Sequence, residues 1–230
     1  MGLYKAYIGE IEEGERDLRA ALALEDKKSY RELHAQFCLS LGMIDDYRQD
    51  CEKLVAATKS PLDLLDVNAT VWVATLSEHS GIDFENWTKN LEKLFESAKQ
   101  SDLKMKKVSI AAYENTLGLA CYRSKNYSEA IQHLEKSLKL GSSFPAVDYA
   151  ILAMAHTKLG EFEEAQHCLD KSRERKTNVE RIEEAGLVLT SAQHKIKALE
   201  IPLLLQEATA ELKHALESRR ERSLGFQPEL

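Results

Sequence analysis

The side chains most capable of chemistry in this sequence are its cysteines and histidines. The chain contains four cysteines and seven histidines. Structural zinc sites use closely spaced Cys or His pairs, and no two cysteines or two histidines lie within five residues of each other. His133 and Cys168 are the pair that a zinc site would first suggest, but Cys168 adjoins His167 and points to a different face of its helix. The sequence therefore predicts no metal site and no cofactor.

Motifs for nucleophilic, phosphate-binding or acid–base chemistry are absent as well. The sequence has no GxSxG, P-loop or GxGxxG pattern. A catalytic cysteine needs a paired histidine and an electropositive setting, whereas these cysteines lie at apolar positions of helix-period patterns. Acidic clusters begin at Glu10 and Glu161, where carboxylates favour the positive end of a helix dipole. We therefore expect that the protein is not an enzyme.

The composition indicates a helical and acidic protein. Of 230 residues, 43% are hydrophobic, which is enough to form a core, and only 10 are glycine and 4 are proline. So few turn residues disfavour an all-β fold. The formal net charge of −7 opposes nucleic-acid binding, which needs a basic surface. No apolar run is long enough to span a membrane. Cysteines without a CxxC pair are typical of a reducing compartment, so we expect a cytoplasmic protein.

Two stretches of the chain repeat each other. Residues 113–134 and 148–169 align with an offset of 35, which places Ala130 against Ala165. Each stretch is a helix-period pattern, a short break and a second helix-period pattern. Weaker copies surround breaks at Gly9 and Gly42, and a divergent copy breaks at Gly81. Because no such unit can bury its apolar face alone, the pattern predicts stacked helical hairpins.

The residues around each break have expected structural roles. Gly or Asn at the break lets the first helix end in a left-handed residue. Tyr127 is expected to open the second helix, and Ala130 is small where two helices approach closely. Leu134 lies on the same helix face and fills the gap between hairpins. The equivalent residues of the next copy are Phe162, Ala165 and Leu169.

These residues resemble the tetratricopeptide repeat. Leu117-Gly118 matches the Leu-Gly pair of its motif, and Ala130 matches the small residue. In the next copy, Gly160 and Ala165 match the motif, whereas Leu152-Ala153 replaces the Leu-Gly pair and Tyr149 replaces the aromatic residue. The tryptophan and the terminal proline of the motif are absent from both copies. The resemblance implies an all-α, right-handed superhelical solenoid of antiparallel helix hairpins with a C-terminal capping helix.

Several segments are also similar to the C-terminal repeat arrays of bacterial serine/threonine protein kinases. These segments are 41–51, 117–123, 151–160 and 198–208. The chain has no kinase domain and begins midway through a first helix. This resemblance therefore implies a fragment or a relative of such an array.

We expect one solenoid over residues 1–222 and a flexible tail over 223–230. The approximate units are 1–26, 29–59, 62–100, 103–141 and 144–175, followed by a cap at 178–222. Within the cap, apolar residues from Val179 to Ala192 predict one helix. Pro202 is expected to begin or bend a second helix, consistent with a first-turn proline.

The resemblance implies that the first helices of the hairpins line a concave groove. A strip of this face combines apolar and basic side chains, as a peptide-binding surface would. The predicted partner-binding residues are Asn115, Leu119, Tyr122, Arg123, Met154 and Lys158.

The predicted function is a protein–protein interaction module or scaffold that binds a peptide or partner protein. The alternatives are a spacer or oligomerisation module, and a small helical regulatory domain that binds a ligand. The same strip could instead pack against a neighbouring helix as core. The sequence indicates no oligomeric state.

Overall fold

The protein is an array of α-helices in the computed structural model, which describes residues 11–58, 63–100, 107–184 and 192–223. No β-strand occurs in these ranges, and none of their helices is both long and apolar enough to cross a bilayer. The prediction of an all-α fold is confirmed. The helices are α1 (Ile11–Leu24), α2 (Lys28–Ser40), α3 (Ile44–Ala57), α4 (Leu64–Thr75), α5 (Phe84–Gln100), α6 (Lys107–Arg123), α7 (Tyr127–Lys139), α8 (Pro145–Leu159), α9 (Phe162–Glu184) and α10 (Ala192–Ser223).

Consecutive helices pair as hairpins, and the hairpins stack. The pairs are α2 with α3, α4 with α5, α6 with α7, and α8 with α9. Each second helix also packs against the first helix of the next pair, so the first helices α2, α4, α6 and α8 form one continuous row. We call this row the inner face. The arrangement is a solenoid of helical hairpins. Helix α1 packs on α2, while the rest of the first predicted unit, residues 1–10, lies outside the described residues.

Left-handed residues follow two of the first helices, as the breaks in the sequence predict. Gly42 after α2 and Gly160 after α8 have φ angles of 71° and 79°. Helix α4 instead ends at Leu76 with φ of −59°, and Gly81, with φ of 77°, ends the short 3-10 helix Glu78–Ser80 that follows it. After α6 the left-handed residue is Lys125, with φ of 65°, whereas Asn126 has φ of −89°. The expectation of an Asn in this conformation is wrong by one residue. The Asn126 N–H donates to the Cys121 carbonyl and the Lys125 N–H to the Tyr122 carbonyl, at 2.9 and 3.0 Å, which places Lys125 at the left-handed position of a Schellman motif.

Small residues let the helices of a hairpin approach closely. Ala130 and Ala165 are fully buried in the main core cluster, as predicted. Gly118 on α6 faces Leu134 on α7, and a Cβ atom at Gly118 would lie only 2.5 Å from the Leu134 Cγ. Because Leu134 is itself fully buried, it has no free space to move into. Gly118, the glycine of the Leu-Gly pair, therefore allows the short distance between these two helices.

The C-terminal part of the chain differs most from the sequence expectation. Helix α9 continues past the predicted end of its unit at residue 175 to Glu184. Residues 185–191, which hold much of the helix predicted from Val179 to Ala192, lie outside the described residues. Of the tail predicted over 223–230, Ser223 still belongs to α10, and 224–230 lie outside the described residues. Pro202 stands inside α10 rather than in its first turn. It is exposed there, and the surrounding core contacts of α10 override the loss of one intrahelical hydrogen bond.

Helix α10 lies along the inner face of the array. It packs against α2 and α8, and its side chains bond to residues of α4 and α6. Its first described side chain, Leu199, joins a small cluster with Leu18, Leu33 and Phe37 on α1 and α2. The helix therefore crosses all the first helices of the described hairpins, a position that the sequence pattern did not predict.

Gly118→Ala is expected to destabilise the protein, although alanine is the better helix former by about 1 kcal/mol. The added Cβ would meet the buried Leu134 side chain at 2.5 Å. Overpacking of this kind typically costs about 1–3 kcal/mol. Urea unfolding followed by circular dichroism measures the change in free energy.

Leu134→Ala is the control, because it removes the atoms that the new methyl group meets. Combined with Gly118→Ala, it should cost less than the sum of the two separate substitutions. Strictly additive costs, or a Gly118→Ala chain as stable as the wild type, would contradict the close approach of α6 and α7.

Candidate interaction groove

An apolar stripe of α10 fills the centre of the inner face. Leu204, Ala208 and Leu212 recur every four residues, so they share one side of the helix, and all three are buried. They belong to the same core cluster as Leu119 of α6 and Met154 of α8. Tyr122 of α6 is also in this cluster. Three of the predicted partner-binding residues therefore lie together, buried in contact with the core that includes α10.

Three glutamates of α10 bond to polar groups of the inner face. Glu200, Glu207 and Glu211 are spaced so that they adjoin the apolar stripe. The Trp72 Nε1–H donates to Glu200 Oε1 at 2.8 Å. The Tyr122 hydroxyl donates to Glu211 Oε1 at 2.6 Å. The Lys158 ammonium pairs with the same oxygen of Glu211 at 2.8 Å. The inner face thus offers donors and positive charge, and α10 supplies the matching acceptors.

Arg123 makes the most extensive polar contact of the groove. Its side chain is only 3% exposed. The Nε donates to the Thr75 carbonyl at 2.8 Å and Nη2 to the Leu76 carbonyl at 3.0 Å, at the C-terminal end of α4. Nη1 and Nη2 bind the two carboxylate oxygens of Glu207, the second at 2.8 Å. Burial alone would lower the pKa of Arg123, but the hydrogen bonds and charge of Glu207 outweigh it and raise that pKa. The guanidinium is a fixed, fully ionised anchor.

Asn115 is placed differently from the other predicted residues. It is buried, and its Nδ2 donates to Asp148 Oδ1 on α8. The Ser137 hydroxyl donates to the other Asp148 oxygen at 3.2 Å. Asn115 therefore joins two successive hairpins. Leu119, Tyr122, Arg123, Met154 and Lys158 do come together, in a groove that α10 occupies. Their role toward a partner stays a prediction, and it requires that α10 leave its place.

Helix α10 contributes groove residues that were not predicted. Glu200, Glu207 and Glu211 were not among the predicted site residues, although they alternate with the apolar positions at helical spacing. That amphipathic pattern was the available signal. What it could not give is the face on which the helix docks. Beside the docked helix an open cleft of about 300 Å³ remains, lined by Leu39, Leu76, Ser77, Leu203, Gln206, Glu207 and Ala210.

The comparison with known families concerns the hairpin that carries Tyr122 and Arg123. The family model of the tetratricopeptide repeat matches residues 111–143, which hold most of α6 and all of α7. Residues 111–143 are a tetratricopeptide repeat. The predicted resemblance to this family is confirmed there. No curated protein sequence matches the chain. One matching solved structure is the crystal structure of a thermophilic TPR protein in Thermus thermophilus, with 16% identity and a TM-score of 0.49 over 86% of this chain and 94% of that chain.

A second polar cluster lies away from the repeat, in the first helices of the chain. His34 of α2 holds its Nδ1 at 2.5 Å from Asp50 Oδ2 of α3 and its Nε2 at 3.1 Å from Glu15 Oε1 of α1. Arg31 donates to the other Asp50 oxygen at 2.6 Å. The Cys38 sulfur lies 3.6 Å from both ring nitrogens. Because both nitrogens already face carboxylates and Arg31 balances the charge, this cluster is satisfied as a structural network.

Replacing Tyr122 and Met154 together by alanine is expected to destabilise the protein strongly. Both side chains are buried in the core that α10 completes, and each large truncation typically costs about 2–5 kcal/mol. Chemical unfolding measures the loss. Tyr122→Phe, which removes only the hydroxyl bonded to the Glu211 carboxylate, should cost about 1.5–3 kcal/mol.

Leu159→Ala is the matched control for this truncation, because Leu159 is 42% exposed on the same helix as Met154. It should change the free energy of unfolding little. A double variant that unfolds at the wild-type urea concentration would mean that α10 does not pack on these residues.

The His34 cluster predicts that stability falls as the pH rises above neutrality. Burial lowers the pKa of His34, but Asp50 and then Glu15 outweigh this and raise it above its ordinary value of about 6.5. The protonated ring therefore stabilises the folded state fully below about pH 6.5, and this contribution is lost as the pH passes the raised folded-state pKa. Urea unfolding at about pH 6 and about pH 8 should differ by up to about 1.4 kcal/mol for each unit between the two pKa values.

His34→Gln should remove most of this pH dependence. His79→Gln is the control, because His79 is exposed on the turn after α4. Equal slopes in the wild type and His34→Gln would show that Asp50 and Glu15 do not hold an imidazolium.

Proposed function

We propose that this protein is an interaction scaffold whose inner face binds an amphipathic helix of a partner protein. The tetratricopeptide repeat is in general a protein-interaction module, and solenoids of this kind offer extended concave binding surfaces. The observation that carries the proposal is the seat of α10. A helix fits the inner face with both an apolar stripe and matched charges. Helix α10 thus occupies the groove in the way that we expect a partner helix to occupy it.

The seat defines the chemistry of the partner helix. Apolar side chains four residues apart would take the positions of Leu204 and Ala208 in the core cluster that also contains Leu119 and Met154. A carboxylate one helical turn away would meet Arg123, as Glu207 does. The Lys158 ammonium, whose side chain is 38% exposed at the edge of the groove, would bind a second carboxylate. The partner segment is therefore an acidic amphipathic helix that packs in a groove.

Arg123 gives this site its specificity for an acid. Its Nε and Nη2 donate to the Thr75 and Leu76 carbonyls, so these bonds fix the orientation of the guanidinium even in the absence of a partner. A fixed guanidinium that binds both oxygens of a carboxylate is geometrically selective. A helix with a neutral or basic residue at that position would leave the buried cation unpaired. Such a mismatch is strongly unfavourable.

The same seat also supports a second candidate function, that of a closed spacer. If α10 never leaves, the inner face is core and the chain presents only its outer surface. The proposal of a groove binder requires exchange between the docked helix and a competitor. Because the polar groups of the groove are engaged in helix recognition, we propose no catalysis at this site. We also propose a cytoplasmic location, since the four cysteines are buried free thiols, and no direct partnership with nucleic acid or membrane.

A peptide of residues 199–223 with a fluorescent label tests exchange in the full-length chain. Glu207→Gln with Glu211→Gln weakens the internal helix at its two charge contacts. Fluorescence anisotropy should show that this variant binds the wild-type peptide at least about tenfold more tightly than the unmodified chain does, since about 1.4 kcal/mol is enough for that change.

The matched control chain carries Glu217→Gln and Glu221→Gln, on the exposed side of α10. It should behave as the wild type. A peptide with lysine in place of Glu207 and Glu211 should not bind any of the chains. If the weakened variant stays helical by circular dichroism and binds no peptide, the closed-spacer function is correct and the groove is not a site.

A further inference from the structure

Three helices of two adjacent hairpins bring a carboxylate, a thiol and an imidazole together. Glu92 stands on α5, Cys121 on α6 and His133 on α7. One donor atom of each lies within 4.8 Å of the others. Cys121 is fully buried, whereas Glu92 and His133 are half-buried. An ion could therefore reach the cluster from solvent and still be enclosed on the side of the thiol. This group is separate from the groove residues Tyr122 and Arg123, although it adjoins them in sequence.

A buried carboxylate holds the imidazole of this group in one orientation. The His133 Nδ1 lies 2.7 Å from Glu114 Oε2, and Glu114 is fully buried on α6. The Glu114 carboxylate also pairs with Lys136. When Nδ1–H donates to Glu114, the lone pair of Nε2 is left for an incoming cation. A carboxylate behind a histidine in this way is the usual outer-shell arrangement of metal-binding histidines.

The charge around the cluster favours a cation. The Glu92 carboxylate lies near the negative charges of Glu129 and Glu96 and near the positive charge of Lys89. Burial, followed by the charges of Glu92 and Glu129, raises the pKa of the Cys121 thiol to about 12. Two carboxylates thus surround a protonated thiol. A bound divalent cation would neutralise this excess and displace the thiol proton, since a coordinating cysteine binds as thiolate.

We propose that Glu92, Cys121 and His133 bind a thiophilic divalent cation of the zinc class, with water in the remaining position. Thiolate and imidazole ligands select zinc over magnesium and calcium, which prefer oxygen ligands alone. Bonds of about 2.0–2.3 Å to a tetrahedral ion bring its ligand atoms to about 3.5 Å from one another. Since the present separations are at most 4.8 Å, the half-buried side chains of Glu92 and His133 must move inward by up to about 1 Å. The bound ion would fasten α5 to the tetratricopeptide hairpin α6–α7.

The sequence contained no signal for this group. The structure brings His133 not to Cys168 but to Cys121, which lies twelve residues earlier in the chain on the other helix of the hairpin. The comparable group Glu15, His34 and Cys38 carries no such proposal. Both nitrogens of His34 already face carboxylates there, and Arg31 balances the charge.

Cobalt(II) is the probe, because a thiolate ligand gives it an intense near-ultraviolet charge-transfer band. The full-length chain, reduced and freed of metal, is titrated with cobalt chloride and then with zinc chloride. We expect one cobalt ion per chain with a thiolate band, loss of the band on zinc addition, and a melting temperature that rises with the zinc concentration.

Cys121→Ser should abolish the thiolate band, whereas Cys168→Ser, a matched change at another buried thiol, should leave it intact. His133→Gln and Glu92→Gln alter half-buried positions and keep Cys121, so they should still fold and bind cobalt at least about tenfold more weakly. A wild-type chain that stays helical and gives no thiolate band at saturating cobalt overturns the proposal. So does a band that survives Cys121→Ser.

Discussion

The closed arrangement of the array depends on one buried cation, Arg123. Its guanidinium uses its hydrogen-bond donors on two carbonyls at the end of α4 and on the carboxylate of Glu207 in α10. A charge that is 3% exposed is tolerated only when such partners replace its water. Removal of Glu207 would leave the cation with neutral acceptors only, which is the situation that typically costs about 3–5 kcal/mol. One residue of the repeat thus links the end of one hairpin's first helix, the loop that follows it and the last helix of the chain.

The hairpins themselves follow from local sequence. Gly160 ends α8 in a left-handed conformation, Phe162 opens α9, and Ala165 lies buried at the crossing, all of which the pattern predicted. These features need only contacts within about 20 residues, so periodicity and turn chemistry determine them. Even the one local error, at Asn126, is a shift by a single residue within the same helix-ending motif.

The candidate site was less predictable, because its contacts join distant parts of the chain. Arg123 and Glu207 are separated by 84 residues, and Trp72 and Glu200 by 128. The helix period identifies which residues of α6 share a face, and it correctly gathers Leu119 and Tyr122. It does not say that another helix of the same chain fits that face. Asn115 also illustrates the limit: a polar residue assigned to the groove has its own buried acceptor, Asp148, on the neighbouring hairpin.

Any partner helix must compete with α10 for the groove. A helix of the same chain competes as if it were present at a high local concentration, on the order of millimolar. A partner helix that makes the same contacts would therefore have to reach that concentration to displace α10. Its apparent affinity equals its affinity for the open groove multiplied by the fraction of molecules in which the groove is open.

Helix α10 does not fill the groove equally well along its length. Pro202 removes a backbone hydrogen bond from its first half, and the cleft lined by Leu203 and Gln206 lies beside that half. The ion pairs of Glu207 and Glu211 lie from the middle of the helix onward. A competing helix gains the most binding free energy where the contacts of α10 with the groove are poorest. Its advantage over α10 must therefore come from better packing along α2 and α4 rather than from additional charge at Arg123.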